Sequence, residues 1–241
     1  MAKFPSAAVV FVHPLFLEEP DSPADQKLYD QIIEIPRHGS YDTYKSNLLG
    51  VKRKVDSEGV LAFHLLRFSE SPLQIRQSNK GTVWVPKVDD LLFEWDDCSR
   101  WVDGQPVSRQ SFVARLKDGY ERLKEFESLE YIGLIIAQAG VQRVAVAGEL
   151  GLYASPNGGF GIGCVTSVVD TFSKHLKVVT LKDAVYPLTG AASLEITDAI
   201  KKLDGTTLAD NARVERVCSR AKNLVYENQI GLEDFLAGKL T

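Results

Sequence analysis

The residues of this sequence best suited to chemistry are one cysteine, one histidine and a small group of carboxylates. Cys164 follows the glycine-rich segment GGFGIG and opens a stretch, 164–175, whose pattern predicts a helix. A helix N-terminus carries partial positive charge and N–H groups without intrahelical partners, which stabilise a thiolate and can bind an oxyanion. The backbone N–H groups of Gly163 and Cys164 are therefore candidate oxyanion donors.

His13 is the candidate general base for this cysteine. It follows an apolar run, AAVVFV at 7–12, that is typical of a buried parallel strand. Glu94 and Asp96 follow another apolar run and are candidates to orient the imidazole of His13. Each residue also has an interpretation without chemistry: Cys164 as a small core side chain, His13 as part of a turn, and the carboxylates as a solvated loop.

Apolar runs separated by amphipathic stretches predict the elements that must position these residues. Strands are predicted at 7–12, 59–66, 91–93, 141–148, 176–181 and 223–226, and helices at 25–35, 112–139 with N-caps at Ser111 and Ser128, 164–175, 194–203, 209–222 and 232–237. Strands that alternate with helices imply parallel crossovers. We therefore expect an α/β fold with a single doubly wound, mainly parallel β-sheet, helices on both faces, and one domain over 1–241.

The carboxyl edge of such a sheet supplies the candidate pocket. In doubly wound sheets a ligand binds beyond the carboxyl ends of the strands. Five residues near those ends are candidate pocket residues: Phe16, Arg67, Trp95, Glu149 and Phe160. The segment 148–163 is rich in glycine but lacks the spacings of phosphate-binding loops, which disfavours a nucleotide-dependent oxidoreductase. Its glycines instead predict tight turns and close backbone approach.

Composition narrows the classes of partner and compartment. The chain has 241 residues, 44% hydrophobic and 25% charged, with a net charge of -4 and a pI of about 5.6, so no basic surface for nucleic acid or membrane is expected. Three cysteines without CxxC spacing argue against a disulfide framework or a zinc site. The apolar run near the N-terminus is shorter than the roughly 18–20 residues of a membrane span and has no signal-cleavage pattern. We expect a cytoplasmic protein with a small-molecule ligand, no metal and no cofactor.

The order of these features resembles the isochorismatase-like cysteine hydrolases, which include nicotinamidases, N-carbamoyl amidohydrolases and isochorismatases. The most specific stretch is 161–187, GIGCVTSVVDTFSKHLKVVTLKDAVYP, which is similar to the family pattern of a nucleophilic Cys, a Val, a helix with an Asp and a valine-rich strand ending in Asp-Ala. Segments 139–148 and 212–238 are similar to the preceding strand and to the closing helix, strand and helix. The resemblance implies a Rossmann-like three-layer fold, Cys164 as the nucleophile, an amide-type substrate and a homo-oligomer.

The sequence departs from the family at two catalytic positions. The family's catalytic Asp ends the first strand, where this chain has His13. Its catalytic Lys lies at or just after the third strand, where this chain has an acidic stretch beginning at Glu94 and no lysine in 88–116. Two functions therefore stay open. One is a hydrolase of a small amide or related carbonyl substrate that uses Cys164 with His13 and an acidic partner, and the other is a catalytically inactive protein of this fold that serves as a binding, scaffold or assembly subunit.

Overall fold

The computed structural model describes residues 5–15, 41–66, 84, 90–95, 100–102, 105–107, 110–116, 119–126, 128–154, 160–190, 192–193 and 208–239. Only the backbone is described at 66, in 94–126 and 153–162, and at 208–211, 213 and 214. In chain order the elements are β1 (Ala7–Val12), α1 (Tyr41–Ser57), β2 (Ala62–Leu66), β3 (Leu91–Trp95), β4 (Arg100–Val102), β5 (Gln105–Val107), β6 (Gln110–Leu116), β7 (Gly119–Phe126), α2 (Leu129–Gln138), β8 (Arg143–Gly148), β9 (Leu152–Ala154), β10 (Phe160–Ile162), α3 (Cys164–Phe172), β11 (Lys177–Val185), α4 (Leu208–Ala221), a π-helical turn (Lys222–Tyr226), β12 (Gln229–Ile230) and α5 (Leu232–Leu236).

Eight of these strands form one mixed sheet in the order β12-β11-β8-β1-β2-β3-β6-β7. The six strands from β12 to β3 are parallel, and β6 and β7 extend the β3 edge in antiparallel fashion. The parallel part has the strand order of a doubly wound α/β fold. The expectation of a mainly parallel, doubly wound sheet is confirmed.

The composition of β1 and β8 explains why they lie in the middle of the sheet. Residues 8–12 of β1 and 144–147 of β8 are fully buried, and β1 pairs in register with β8 on one side and β2 on the other. A run that is apolar on both faces suits only a strand covered by helices on both sides. The connections β1 to β2 and β8 to β11 run in opposite directions across the sheet, so right-handed crossovers place α1 and α3 on opposite faces.

The helices are anchored to the sheet and to one another by specific contacts. α3 packs on β8, β11 and β1, and α1 packs on β11. α2 lies against α3 where Gly133 faces the ring of Phe172; a Cβ at Gly133 would lie 2.9 Å from Phe172 Cδ1. An ion pair between Lys54 and Glu233 joins α1 to α5. These layers complete the three-layer α/β arrangement.

The predicted long helix over 112–139 was wrong in its first half. Residues 110–126 form the antiparallel pair β6 and β7, and only Leu129–Gln138 is helical. Leu116 pairs with Gly119, so the connection is two residues long, and the Asp-Gly dipeptide at 118–119 is a hairpin signal. Ser128 is the N-cap residue of α2, as predicted, but its side chain makes no capping hydrogen bond.

Two further segments differ from expectation. The polar stretch from 41 onwards, which the sequence did not assign, forms the 17-residue helix α1. The strand predicted at 223–226 is instead the π-helical turn that continues α4, and the last strand is Gln229–Ile230. The helices predicted at 25–35 and 194–203 lie outside the described residues. Within the part of the chain that is described, no helix is both long and apolar enough to cross a membrane.

A buried polar network lies between β2, β3 and α1. His64 Nε2 is 2.8 Å from Asp90 Oδ2, and the indole N–H of Trp84 donates to His64 Nδ1 at 3.1 Å. All three side chains are buried. Because an indole N–H can only donate, Nδ1 must be the acceptor, and the proton of the neutral ring is on Nε2. On α1, Lys52 forms an ion pair with Asp56, and its Nζ lies 5.7 Å from the centre of the Trp84 ring.

Candidate functional site

The candidate site lies where the direction of the chain connections reverses, between the carboxyl ends of β1 and β8. Val12 and Gly148 are register partners there, and the N–H of Glu149 donates to the carbonyl of Val12 at 3.0 Å. His13 follows Val12 directly, so His13 and Glu149 leave the sheet on neighbouring strands. Ligands of doubly wound sheets bind in the crevice at this point.

The backbone at this edge is strained. Among the described residues other than glycine, four have left-handed φ angles, and these lie at or near the carboxyl ends of parallel strands: His13 (45°), Leu15 (61°), Leu150 (67°) and Asp183 (59°). A left-handed conformation is unfavourable for residues with a Cβ, above all for leucine. Such strain concentrates at ligand sites, where the surrounding structure holds the backbone in place.

Two glycines allow the segments of the site to approach one another. Gly148 has a φ of 140°, and a Cβ there would lie 2.0 Å from the carbonyl oxygen of Val12. A Cβ at Gly163 would lie 1.8 Å from the carbonyl oxygen of Leu150. No side chain fits at either distance. The prediction that glycines in 148–163 permit close backbone approach is confirmed at these two positions.

Cys164 is the first residue of α3, and Gly163 precedes it as the N-cap residue. The first turn of α3 is bonded to the turn that follows β8. Val165 N–H donates to Leu150 O at 3.1 Å, Gly163 N–H donates to Gly151 O at 3.3 Å, and the Thr166 hydroxyl donates to Gly151 O at 2.6 Å. The helix start is therefore held at the carboxyl end of β8, with Cys164 9% exposed.

The other predicted residues are placed as follows. His13 is buried, and its backbone N–H donates to Leu65 O at 2.8 Å. Glu94 and Trp95 end β3, with β2 between them and β1, and their side chains are not among the described ones. Phe160 opens β10, which pairs with β9 as a small hairpin inside the glycine-rich segment. Phe16, Arg67 and Asp96 lie outside the described residues. The fold thus brings His13, Glu149 and Cys164 to one edge.

Glu149 has a specific environment that the sequence did not predict. Its side chain is fully buried, and the Tyr41 hydroxyl donates to Glu149 Oε1 at 2.5 Å. The rings of Tyr41, Tyr44 and Tyr186 form a cluster with centroid separations of 5.3 to 5.5 Å. The signal for this cluster was the helical spacing of Tyr41, Tyr44 and Leu48 in α1.

The surroundings of Tyr44 and Tyr226 keep both phenols protonated. Burial raises the pKa of Tyr44 well above its usual range, and the charge of Glu149 and then Tyr186 raise this pKa further. Burial, and then Tyr186, also raise the pKa of Tyr226. Tyr226 ends the π-helical turn, and its hydroxyl lies against Gly151. These phenols are therefore neutral hydrogen-bond donors throughout the physiological pH range.

In the described ranges, no three His, Cys, Asp or Glu side chains come together in a way that would hold a metal ion. The polar groups that do converge are a thiol, an imidazole, a carboxylate and phenols. This set can move protons and form hydrogen bonds to a small polar ligand.

Comparison with known proteins adds a distant likeness. No family model matches the chain. No curated protein matches it. Among solved structures, the chain is similar to a pyrazinamidase of Pyrococcus horikoshii that was crystallised in complex with zinc, with 16% sequence identity, 95% of this chain and 100% of that chain covered, and a TM-score of 0.34. A likeness of this degree supports no inference about residues or activity.

Proposed function

We propose that this protein is a hydrolase that uses Cys164 as a nucleophile on a small amide or a related carbonyl compound. The observation that carries the proposal is the position of Cys164, which opens α3 at the edge of the sheet where His13 and Glu149 follow β1 and β8. The N-terminal end of a helix stabilises a thiolate through its partial positive charge and its N–H groups. Covalent acyl transfer requires a thiol and a basic side chain that takes its proton.

The proposed reaction has two stages. The imidazole of His13 takes the thiol proton, the sulfur attacks the carbonyl carbon, and the amine leaves with that proton, so that a thioester remains on Cys164. A water molecule, deprotonated by His13, then hydrolyses the thioester to a carboxylic acid and restores the thiol. Glu94 or Asp96 orients the imidazole in this proposal. The substrate contacts are provided by the pocket residues Phe16, Arg67, Trp95, Glu149 and Phe160.

The tetrahedral intermediate carries an oxyanion, for which we propose the backbone N–H groups of Gly163 and Cys164. The Gly163 N–H already donates to Gly151 O at the long distance of 3.3 Å. The oxyanion must therefore replace this weak hydrogen bond.

A second candidate is a protein of this fold that binds a ligand or assembles with partners but performs no chemistry. The burial of Cys164 favours it, because this residue is only 9% exposed and packs among residues of the hydrophobic core. The bonding of the Gly163 and Val165 N–H groups to carbonyls within the protein favours it too. A buried cysteine of this kind is often a packing residue.

The rate of alkylation by iodoacetamide as a function of pH separates the two candidates. The modified peptides are quantified by mass spectrometry, and Cys218 is the internal reference, because burial raises the pKa of the Cys218 thiol. The hydrolase requires Cys164 to react at neutral pH at least about tenfold faster than Cys218 and to slow in H13N. Asn is chosen because it tolerates the left-handed φ of 45° at position 13 better than Ala.

Slow alkylation of Cys164 that H13N leaves unchanged would refute the Cys–His mechanism and favour the binding protein. Activity is measured independently as ammonia release from a panel of small primary amides, with C164A as the matched inactive variant. Ammonia release that persists in C164A would also refute the role of Cys164, whatever the alkylation rate.

A further inference from the structure

His64 is a fully buried titratable residue that the proposed reaction does not use. Its two ring nitrogens have different partners. Nε2 lies 2.8 Å from Asp90 Oδ2, and Nδ1 accepts a hydrogen bond from the indole N–H of Trp84 at 3.1 Å. A neutral imidazole has one N–H donor and one acceptor nitrogen, and these two contacts use both. The environment of the ring in its neutral form is therefore complete.

The contact with Trp84 is compatible with the neutral form of His64 alone. Protonation places a hydrogen on Nδ1, and the imidazolium and the indole would then point N–H groups at each other across 3.1 Å. An indole N–H can only donate, so the Trp84 ring has no means of accepting this hydrogen. Protonation of His64 therefore requires the Trp84 ring to move away from it.

Charged groups from α1 and from the start of β3 act on the protonation of His64. Burial lowers the pKa of His64, and Asp90 opposes this shift through its hydrogen bond and its charge. Lys52 of α1 lowers the pKa further, and Asp56 of α1 raises it. Once the ring is exposed to water, its pKa returns towards about 6.5. Acid therefore favours the form in which the contact with Trp84 is broken.

Trp84 contacts two elements that carry residues of the candidate site. Its ring meets Phe11 edge-on, with ring centres 4.9 Å apart, and Lys52 Nζ lies 5.7 Å from its centre. Phe11 belongs to β1, which ends directly before His13, and Lys52 belongs to α1, which begins at Tyr41. Movement of the Trp84 ring would therefore remove a packing contact from both elements.

We propose that the hydrogen bond between His64 and Trp84 is a pH-sensitive contact: acid protonates His64, breaks this hydrogen bond and moves the Trp84 ring out of its buried position while the sheet stays folded. The ratio of the open to the closed form rises by up to about tenfold for each pH unit below about 6.5. Acid thus loosens the packing of α1 and β1. The proposal does not depend on the chemistry of Cys164.

The experiment is a pH titration, from pH 8 to pH 4, of the full-length chain labelled with 5-fluorotryptophan and observed by fluorine NMR. The chain has three tryptophans, so the Trp84 signal is identified as the one that is absent from W84F. The change of each signal between light and heavy water reports the exposure of that ring. Far-UV circular dichroism at each pH reports global unfolding, and NMR of the histidine ring protons reports the titration of His64.

Two histidine variants separate the contact from general effects of acid. In H64N the side-chain carbonyl oxygen can accept from Trp84 near the place of Nδ1, and it does not titrate in this range. H175N is the matched control, because the His175 side chain is 25% exposed and lies beside Glu130 of α2, not beside Trp84.

We expect the Trp84 signal to change from that of a buried ring to that of an exposed ring in acid, with the same midpoint as the titration of His64 and with the circular dichroism of the folded protein. H64N should keep the buried signal over the whole range, and H175N should match the parent. D90N should move the midpoint to lower pH by about one unit, because Asp90 favours the protonated ring.

Three results contradict the proposal. The first is a Trp84 signal that stays constant down to pH 4, and the second is one that changes only when the circular dichroism shows global unfolding. The third is an H64N protein in which the Trp84 signal changes as it does in the parent. If H64N does not fold, D90N decides, and a midpoint that stays in place or moves to higher pH overturns the proposal.

Discussion

Replacing Trp84 with phenylalanine should lower the free energy of unfolding, and by more at pH 8 than at pH 5.5. The indole N–H of Trp84 donates to His64 Nδ1 at 3.1 Å, while His64 Nε2 lies 2.8 Å from Asp90 Oδ2. Phenylalanine keeps an aromatic ring at position 84 and removes the donor. The imidazole of His64 then keeps a buried acceptor with nothing to pair with it.

Two lost interactions determine how much W84F lowers the free energy of unfolding. A buried acceptor without its donor costs about 1–3 kcal/mol. The Trp84 ring also packs edge-on against Phe11, with ring centres 4.9 Å apart, and weakening this contact adds about 0.5–1.5 kcal/mol. We therefore expect W84F to lower the free energy of unfolding by about 1.5–4.5 kcal/mol at pH 8.

The pH dependence comes from the titration of His64. Burial lowers the pKa of His64 in the folded protein, and the nearby charge of Lys52 lowers it as well, although Asp90, and to a smaller extent Asp56, oppose this shift. In the unfolded chain the pKa is about 6.5. The stability that depends on neutral His64 is thus complete above about pH 6.5 and is lost as the pH falls towards the folded pKa, by at most about 1.4 kcal/mol per pH unit. In W84F the neutral imidazole of His64 loses a hydrogen bond, so the pKa of His64 rises. The free energy of unfolding of W84F therefore falls less on acidification than that of the parent protein.

Urea unfolding at pH 8 and pH 5.5 measures both effects, and NMR titration of the histidine ring protons reports the pKa of His64. F172L is the control, because Phe172 is a fully buried aromatic residue on the other side of the sheet whose replacement creates a cavity. Its cost should be equal at the two pH values. If W84F lowers the free energy of unfolding equally at the two pH values and leaves the His64 titration unchanged, the assignment of the proton to Nε2 is refuted.

Three further outcomes test the geometry of the candidate site. G148A should lower the free energy of unfolding, measured with heat or urea, by more than about 3 kcal/mol, because its Cβ would lie 2.0 Å from a carbonyl oxygen of β1. The control G50A, whose Cβ would have nothing within 4 Å, should stabilise α1 by about 0.5–1 kcal/mol. Y41F removes the donor to buried Glu149 and should cost about 1.5–3 kcal/mol in urea unfolding; no loss would mean that this hydrogen bond is not needed. T166V removes a buried hydroxyl that bonds the turn after β8 at 2.6 Å and should cost about 1–2 kcal/mol, with faster hydrogen exchange in that turn as an independent check.

Local patterns in the sequence were enough to predict the parallel part of the fold. The runs that became β1 and β8 are apolar on both faces, and only the interior of a parallel sheet satisfies them. Cys164 was predicted to open a helix after a glycine, and it does. From the strands alone, the crevice followed as the place for a site, because the carboxyl ends of parallel strands share one edge.

Two local patterns compete in the segment that was predicted wrongly as a helix. The segment 110–126 has apolar residues at helical spacing, but it also alternates over short stretches and contains Asp-Gly at 118–119. The segment forms strands because β6 pairs with β3. The edge of the sheet offers backbone hydrogen-bond partners that a local sequence pattern does not reveal. The polar helix α1 was not assigned because its buried face is narrow, with Tyr44, Leu48 and Val55 among many charged residues.

Only the tertiary structure brought together the groups that give the candidate site its character. Tyr41 and Glu149 are 108 positions apart and share a hydrogen bond, and the Tyr226 hydroxyl lies against Gly151 in the same turn. The left-handed φ angles of His13 and Leu150 also depend on the packing around them, because the intrinsic preference of both residues is against that conformation. Periodicity determines which face of an element is buried, and therefore the layers of the fold. Hydrogen-bond partners, burial and strain depend on contacts between residues far apart in sequence, and these determine the chemistry of the site.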